Sequence, residues 1–251
     1  MIKEDINLGI LTGISYVTGL DYYKSINEYV MQNTKPVYSL NPNPQLMLAS
    51  VDCDKYVKLL EERNFEMVSN HLMDGVTKLV NAGCDHLAIA SNTGHIAYNR
   101  IKKKYPDLNI IHIADCIANE LKNKSYYEVG LIGTKPTMEE NYLIQRLALH
   151  GINTIVPKDS RDRIKIYDII CNELSYNIFK DESREAIINI IKELMENNIK
   201  SCISGCTEIE LLVKQNDIPN IDFFLSAQIH IKYISEFLLG RIDLLDIEPK
   251  E

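Results

Sequence analysis

Short apolar runs alternate with amphipathic stretches along the chain, and most runs end in a turn of small or polar residues. Ile6–Leu11 leads into Thr12-Gly13-Ile14-Ser15, and a helix is predicted over Thr18–Gln32. Leu46–Val51 follows the loop Asn41-Pro42-Asn43-Pro44. In Phe65–Ala82 the apolar residues Met67, Leu72, Val76, Leu79 and Val80 recur at helical spacing, and Gly83 closes the segment. His86–Ala90 reaches the turn Ser91-Asn92-Thr93-Gly94-His95, then a helix Ile96–Lys104 stopped by Pro106. A strand Ile110–Ile113 and a helix Asp115–Lys124 follow. The pattern then restarts with strand Tyr127–Ile132, turn Gly133-Thr134-Lys135-Pro136 and helix Met138–His150. Thr154–Val156, Lys200–Ile203 and Ile221–Phe224 read as strands; Arg163–Asn172, Glu182–Asn197, Glu208–Gln215 and Gln228–Leu239 read as helices. Alternation of this kind predicts an α/β protein whose mostly parallel sheets are flanked by helices.

The two halves echo one another. Leu8-Gly9-Ile10-Leu11-Thr12-Gly13 resembles Val129-Gly130-Leu131-Ile132-Gly133-Thr134, and Ala90-Ser91-Asn92-Thr93 is matched later by Gly205-Cys206-Thr207-Glu208. Chance similarity of glycine-rich strand ends is the alternative to duplication. Duplication predicts two similar lobes, residues 1–115 plus 225–251 and residues 116–224, with the active site in the cleft between them. A pseudo-twofold axis would then set Ser91 opposite Cys206. Both follow strands, at the end where ligands bind in open α/β sheets.

Cys206 lies at a strand-to-helix turn, where unpaired N–H groups and a helix dipole favour thiolate. Thr207 and Glu210 have capping-box spacing. The bland alternative is a buried, inert thiol. Six cysteines occur, none in a C-x-x-C pair, and they read as reduced thiols. The six histidines are scattered, and nothing supports a metal site. A net charge of −8 offers no field for nucleic acid or an anionic membrane. Acidic residues in Met1–Ile6 and the absence of a long apolar run argue against a signal peptide or membrane span, so a cytoplasmic protein is expected.

Two opposed side chains flanking one carbon suit stereochemical inversion: one takes a proton from Cα and the other returns one. Hydroxyl and amide groups at strand-end turns (Asn92, Thr93, Thr134, Thr207) could hold a carboxylate and stabilise the carbanion, although each also suits a helix cap. The chain resembles the cofactor-independent aspartate/glutamate racemase family. The likeness rests on Gly9–Ser15, Asp21-Tyr22-Tyr23, Ser91–His95, His112–Asp115, Gly133–Glu139, Asp162–Lys165, Asn172-Glu173-Leu174 and Gly205–Ile209. The resemblance implies an enzyme without pyridoxal phosphate or any other cofactor, often a homodimer, acting on a small anionic amino acid or dicarboxylate. It assigns Ser91 and Cys206 as the acid/base pair and Asn92, Thr93, Thr134 and Thr207 to the α-carboxylate. Lys165 would reach the side-chain carboxylate or the lobe interface, and Ser15 joins the substrate-binding set. Gln45 stands where many relatives place a substrate-binding Arg.

Several residues depart from the family pattern. Ser91 replaces a usual Cys, Gly94 a larger residue expected to leave a wider pocket, Leu225 an Asp, and Thr12 part of a Gly-Gly pair. A hydroxyl is a far weaker acid than a thiol. The sequence therefore predicts asymmetric catalysis, with Cys206 as the competent base. The alternatives are a single-thiol decarboxylase or maleate-type isomerase of the same fold, and a non-catalytic dicarboxylate-binding protein.

Overall fold

The computed structural model describes residues 2–3, 5–36, 40, 42–195 and 199–250. The expected helix end at Asn197, the loop residue Asn41, and Met1, Glu4 and Glu251 lie outside the described residues. Contacts divide the chain into two compact units. Unit 1 is residues 1–116 and 230–248; unit 2 is residues 117–229 and 249–251. The sequence placed these crossings at 115/116 and 224/225. The second falls instead within a helix, whose residues from His230 onward pack with unit 1.

Unit 1 opens with β1 (Leu8–Thr12), α1 (Tyr16–Asn33), β2 (Leu46–Ser50), α2 (Cys53–Glu61) and α3 (Phe65–Asn81). It continues through β3 (His86–Ile89), α4 (Tyr98–Lys104) and β4 (Asn109–Ile111), and α5 (Ile113–Asn123) begins in it and runs on into unit 2 from Ile117. Its strands form one parallel sheet in the order β2-β1-β3-β4. Helix α3 buries Val68, Leu72, Val76 and Leu79, spaced to share one face, in a cluster with Leu11, Leu87 and Ile89 from β1 and β3. Full burial of each such side chain contributes about 1.5–3 kcal/mol.

Unit 2 contains β5 (Glu128–Gly133), α6 (Lys135–Glu139), α7 (Asn141–Leu149), β6 (Asn153–Ile155) and α8 (Ser160–Asn172). Next come α9 (Asp181–Met195), β7 (Ser201–Gly205), α10 (Thr207–Leu212) and β8 (Asp222–Leu225). Its parallel sheet has the order β6-β5-β7-β8, the same order as in unit 1. Ile132, Ile203 and Leu131 are fully buried, and Ile166, Ile170, Ile187 and Ile191 cover the sheet from α8 and α9. The chain ends with α11 (Ser226–Leu238) and α12 (Leu244–Ile247).

Four local expectations change. The strand expected to reach Ile113 stops at Ile111, because the His112 carbonyl already accepts from Asp115 and Cys116 at 3.0 and 3.2 Å and starts α5. The single helix expected over Met138–His150 is two. Glu140 is extended (φ −96°, ψ 153°), with its N–H ending α6 on the Pro136 carbonyl. Helix α2, whose Asp52 side chain accepts from the Lys55 N–H at 3.2 Å, is additional. Helix α10 stops at Leu212, three residues short of Gln215, because Val213 is extended (φ −104°, ψ 129°).

Candidate active site

In unit 1 the adjacent strands β1 and β3 end side by side, with Leu11 in register with Ile89. Their carboxyl ends carry Ser15 and Ser91. Ser15 is the N-cap of α1 and accepts from the Thr18 N–H at 3.4 Å. Beyond β3 the chain bends sharply: Ala90 N–H donates to Leu11 and Ser91 N–H to Ile89, at 3.0 and 2.8 Å. The half-buried Ser91 Oγ accepts from the Gly94 N–H at 3.2 Å. That bond leaves the hydroxyl's own hydrogen uncommitted among the described residues. Asn92 and Thr93 are buried directly after it, where a short 3₁₀ turn (Thr93–Ala97) begins.

Gly94 does not widen this region. A Cβ there would lie 2.7 Å from Ile89 Cγ2 and 2.9 Å from Ile14 Cδ1, so neighbouring side chains already fill the space. Thr12 also has a packing reason. Its buried hydroxyl sits where a Cβ on Gly19 would come within 1.8 Å, so the threonine requires the helix glycine opposite it.

Gln45 is not brought to this edge. It is exposed and immediately precedes β2, whose first residue pairs with the first residue of β1, so it lies at the amino edge of the sheet. The strand's five residues separate it from the carboxyl edge, about 13–17 Å at the usual rise. At the carboxyl edge stand Ser50, which ends β2, and just beyond it Asp52 and the exposed Cys53 at the start of α2, whose thiol donates to the Ile14 carbonyl at 3.1 Å. They are readable in sequence from the strand's polar end, not from the Pro-Gln dipeptide.

In unit 2 the adjacent strands β5 and β7 end together, with Gly133 in register with Gly205. This brings Thr134, Cys206 and Thr207 to one edge. Thr134 caps α6: its Oγ1 accepts from the Thr137 N–H at 3.3 Å and lies 2.9 Å from Thr137 Oγ1. Cys206, not Thr207, is the N-cap of α10, and its side chain makes no capping bond. The expected Thr207–Glu210 capping box is therefore absent. Thr207 Oγ1 donates to Glu208 Oε2 at 2.7 Å, and the buried Glu210 carboxylate accepts from the Ala227 N–H at 3.4 Å instead.

The Cys206 thiol is 6% exposed and donates to the same Glu208 Oε2 at 3.1 Å. Burial, then the Glu208 charge and this hydrogen bond, hold the thiol well above its ordinary pKa. The sequence predicts the opposite shift. The correction follows first from the burial of the thiol and then from α10, which has only six residues and carries Glu208 and Glu210 in its first turn. Their charges oppose the small dipole expected of so short a helix. Glu208, two residues beyond the thiol, is the site residue that sequence reasoning missed.

Lys165 is exposed on α8, beside a shallow depression of about 330 Å³ that Arg161, Asp168 and Glu173 also line. Leu225 is half-buried at the end of β8, in register with Ser204. Among the described residues no group of three or more His, Cys, Asp or Glu side chains converges as a metal site would. No described helix is long and apolar enough to cross a membrane.

Residues 11–234 match the family model of the Asp/Glu/hydantoin racemases. A broad specificity amino-acid racemase, RacX, from Bacillus subtilis (strain 168) is 21% identical, over 86% of this chain and 92% of that protein. The crystal structure of a candidate Asp/Glu racemase from Yersinia pestis superposes with a TM-score of 0.83 at 30% identity, over 93% of this chain and 99% of that one. An aspartate racemase homologue from Pyrococcus horikoshii OT3, PH1733, gives a TM-score of 0.76 at 27% identity, with the same coverage.

Proposed function

From the premise that the chain belongs to the Asp/Glu/hydantoin racemase family, we propose that it inverts Cα of an acidic amino acid, aspartate or glutamate, without a cofactor. In this reading Cys206 is the base and Ser91 the opposing proton donor. The observation that carries it is the Cys206–Glu208 hydrogen bond at the carboxyl end of β7. A resting thiol is not a base, but here it has an acceptor in place. Transfer of the thiol proton to Glu208 Oε2 leaves a thiolate, which removes the Cα proton. The C–H electron pair passes into the α-carboxylate as an enediolate. Ser91 donates its hydroxyl hydrogen to the opposite face and regains one from solvent, and Glu208 releases to solvent the proton it took from Cys206, so that no net proton is gained in a turnover. Its Oγ accepts from Gly94, which suits a donor role. Asn92, Thr93, Thr134 and Thr207 supply the polar groups for the α-carboxylate, and Lys165 the cation for the side chain. The reverse direction needs serine as base and is the slower one.

Incubation with each enantiomer of aspartate and glutamate in D₂O tests this reading. Deuterium at Cα of product is expected, and its loss in Cys206→Ala. Absence of exchange with every acidic substrate would overturn it. Because the B. subtilis relative is described as broad in specificity, neutral and basic amino acids belong in the panel.

One observation favours a second reading. A single buried thiol that rests protonated is suited to protonate one face of an enolate, as in the decarboxylation of a disubstituted malonate. Release of CO₂ from such a substrate, without α-exchange of any amino acid, would select it.

A further inference from the structure

We infer that His95 is a positioning residue for the Ser91–Thr93 turn, which it holds in place as a neutral imidazole of fixed tautomer. The inference rests on the racemase reading for its kinetic consequence, and on geometry within unit 1 for the rest. His95 is 1% exposed. Its Nδ1 is 2.8 Å from the Ser91 carbonyl oxygen. A carbonyl only accepts, so Nδ1 carries the hydrogen. Its Nε2 receives the Ile113 N–H at 3.3 Å, so Nε2 carries none. One ring thereby ties the carbonyl of Ser91 to the first residue of α5.

Other rings brace the link. The His112 ring packs against His95 at a tilt of 52°, with 4.4 Å between centroids, and itself meets Tyr98 edge-on at 4.9 Å. His230 lies 6.0 Å away on α11. It donates from Nε2 to the Ile111 carbonyl at 2.8 Å and takes the Tyr22 hydroxyl at Nδ1 at 2.9 Å. His112 Nδ1 accepts from the Ala114 N–H at 3.1 Å. Each histidine thus uses a ring nitrogen as an acceptor, which an imidazolium lacks. Ser91 Oγ is fixed from the other side by Gly94, one residue before His95. The turn that would carry the proton donor and the first two carboxylate ligands therefore has its Ser91 carbonyl anchored to the start of α5 through this ring.

Two variants separate positioning from simple packing. Asn in His95→Asn presents Nδ2–H where the ring presents Nδ1–H, and keeps the bond to Ser91. Leu in His95→Leu keeps the volume and removes the bond. With the substrate exchanged by the wild type, His95→Leu is expected to lower kcat about 10–100-fold with little change in KM, since small misplacements of a reacting group cost rates of that order. His95→Asn is expected to recover most of that loss. Hydrogen–deuterium exchange of the peptide spanning residues 91–97 should be faster in His95→Leu and near wild-type in His95→Asn. If both variants lose kcat equally, in step with their melting temperatures, His95 is a core residue only and the inference fails. If the wild-type protein exchanges no amino acid, the racemase reading fails, while the exchange of peptide 91–97 still decides whether His95 holds the turn.

Discussion

At the scale of single residues, the carboxylate of Glu208 collects two donors on one oxygen, the Cys206 thiol and the Thr207 hydroxyl. In the proposed mechanism the arrangement works in opposite senses at rest and in turnover. At rest the negative charge adds to burial in keeping the thiol protonated; in the proposed turnover it gives the proton a place to go. Glu208→Gln separates the two effects. The neutral amide removes the charge, so the pH at which the Cys206 thiolate appears should fall. The change can be read as thiolate ultraviolet absorbance against a Cys206→Ala background. An unchanged or higher midpoint would show that burial alone sets the shift. Exchange at Cα should nevertheless slow by roughly 10²–10⁴, the usual worth of a positioned general base. The direction of the thiol's shift was illegible in the sequence. It depends on which way one glutamate side chain turns and on how deeply the thiol is buried. The thiol's position, after a small residue at a strand end, was legible from spacing.

At the scale of elements, Gly133 and Gly205 let α6 settle against two adjacent strand ends. A Cβ on Gly205 would lie 2.8 Å from Thr137 Cγ2 and 3.0 Å from the Ile132 carbonyl oxygen. Gly205→Ala should therefore destabilise the protein by about 1–3 kcal/mol, as overpacking does. Thr137→Ser removes the methyl that meets the new Cβ while keeping the hydroxyl that pairs with Thr134. The double variant should be more stable than the sum of the single effects predicts, by about 0.5–1 kcal/mol or more. Additive losses in chemical denaturation would instead assign the clash to the Ile132 carbonyl. Alternating apolar runs made all eight strands of the described residues visible in the sequence, because each run is bounded by a turn. Helix α2 was not visible, since Tyr56 is its single fully buried anchor. The break at Glu140 escaped because apolar spacing continues across it, whereas the backbone does not. Gln45 was misplaced for a related reason. A dipeptide does not reveal which end of a strand it adjoins, and parallel pairing from Leu8↔Leu46 to Thr12↔Ser50 does.

For the whole molecule, burial of titratable groups bounds the pH range of stability on both sides. His230 is held neutral, its pKa lowered from the ordinary 6.5 to about 3, chiefly by burial. The unfolded chain binds that proton first as pH falls. Stability should thus be fully present above pH 6.5 and decline by about 1.4 kcal/mol per pH unit from there towards pH 3. Burial raises Cys202 from 9.0 to about 12, so the unfolded chain loses its proton first, and a second decline is expected between those values. Denaturant unfolding across pH tests both limbs. His230→Asn should flatten the acid limb, and an unchanged slope would place the acid sensitivity elsewhere. The histidine cluster had no sequence signature: His95, His112 and His230 meet only because β3, β4 and α11 do.

Unit 1 also has a consequence for synthesis. Helix α11 supplies His230, the Glu236 carboxylate that receives the Tyr29 hydroxyl at 2.5 Å, and the Leu238 carbonyl that receives the Lys3 N–H at 2.8 Å. Domains of a growing chain ordinarily fold in order from the N-terminus. Here unit 1, begun before unit 2 is made, is completed only by a helix translated after most of unit 2. The nested unit 2, translated in between, is the first that can close, and a nascent chain stalled before His230 should carry an unfinished, protease-sensitive amino-terminal half.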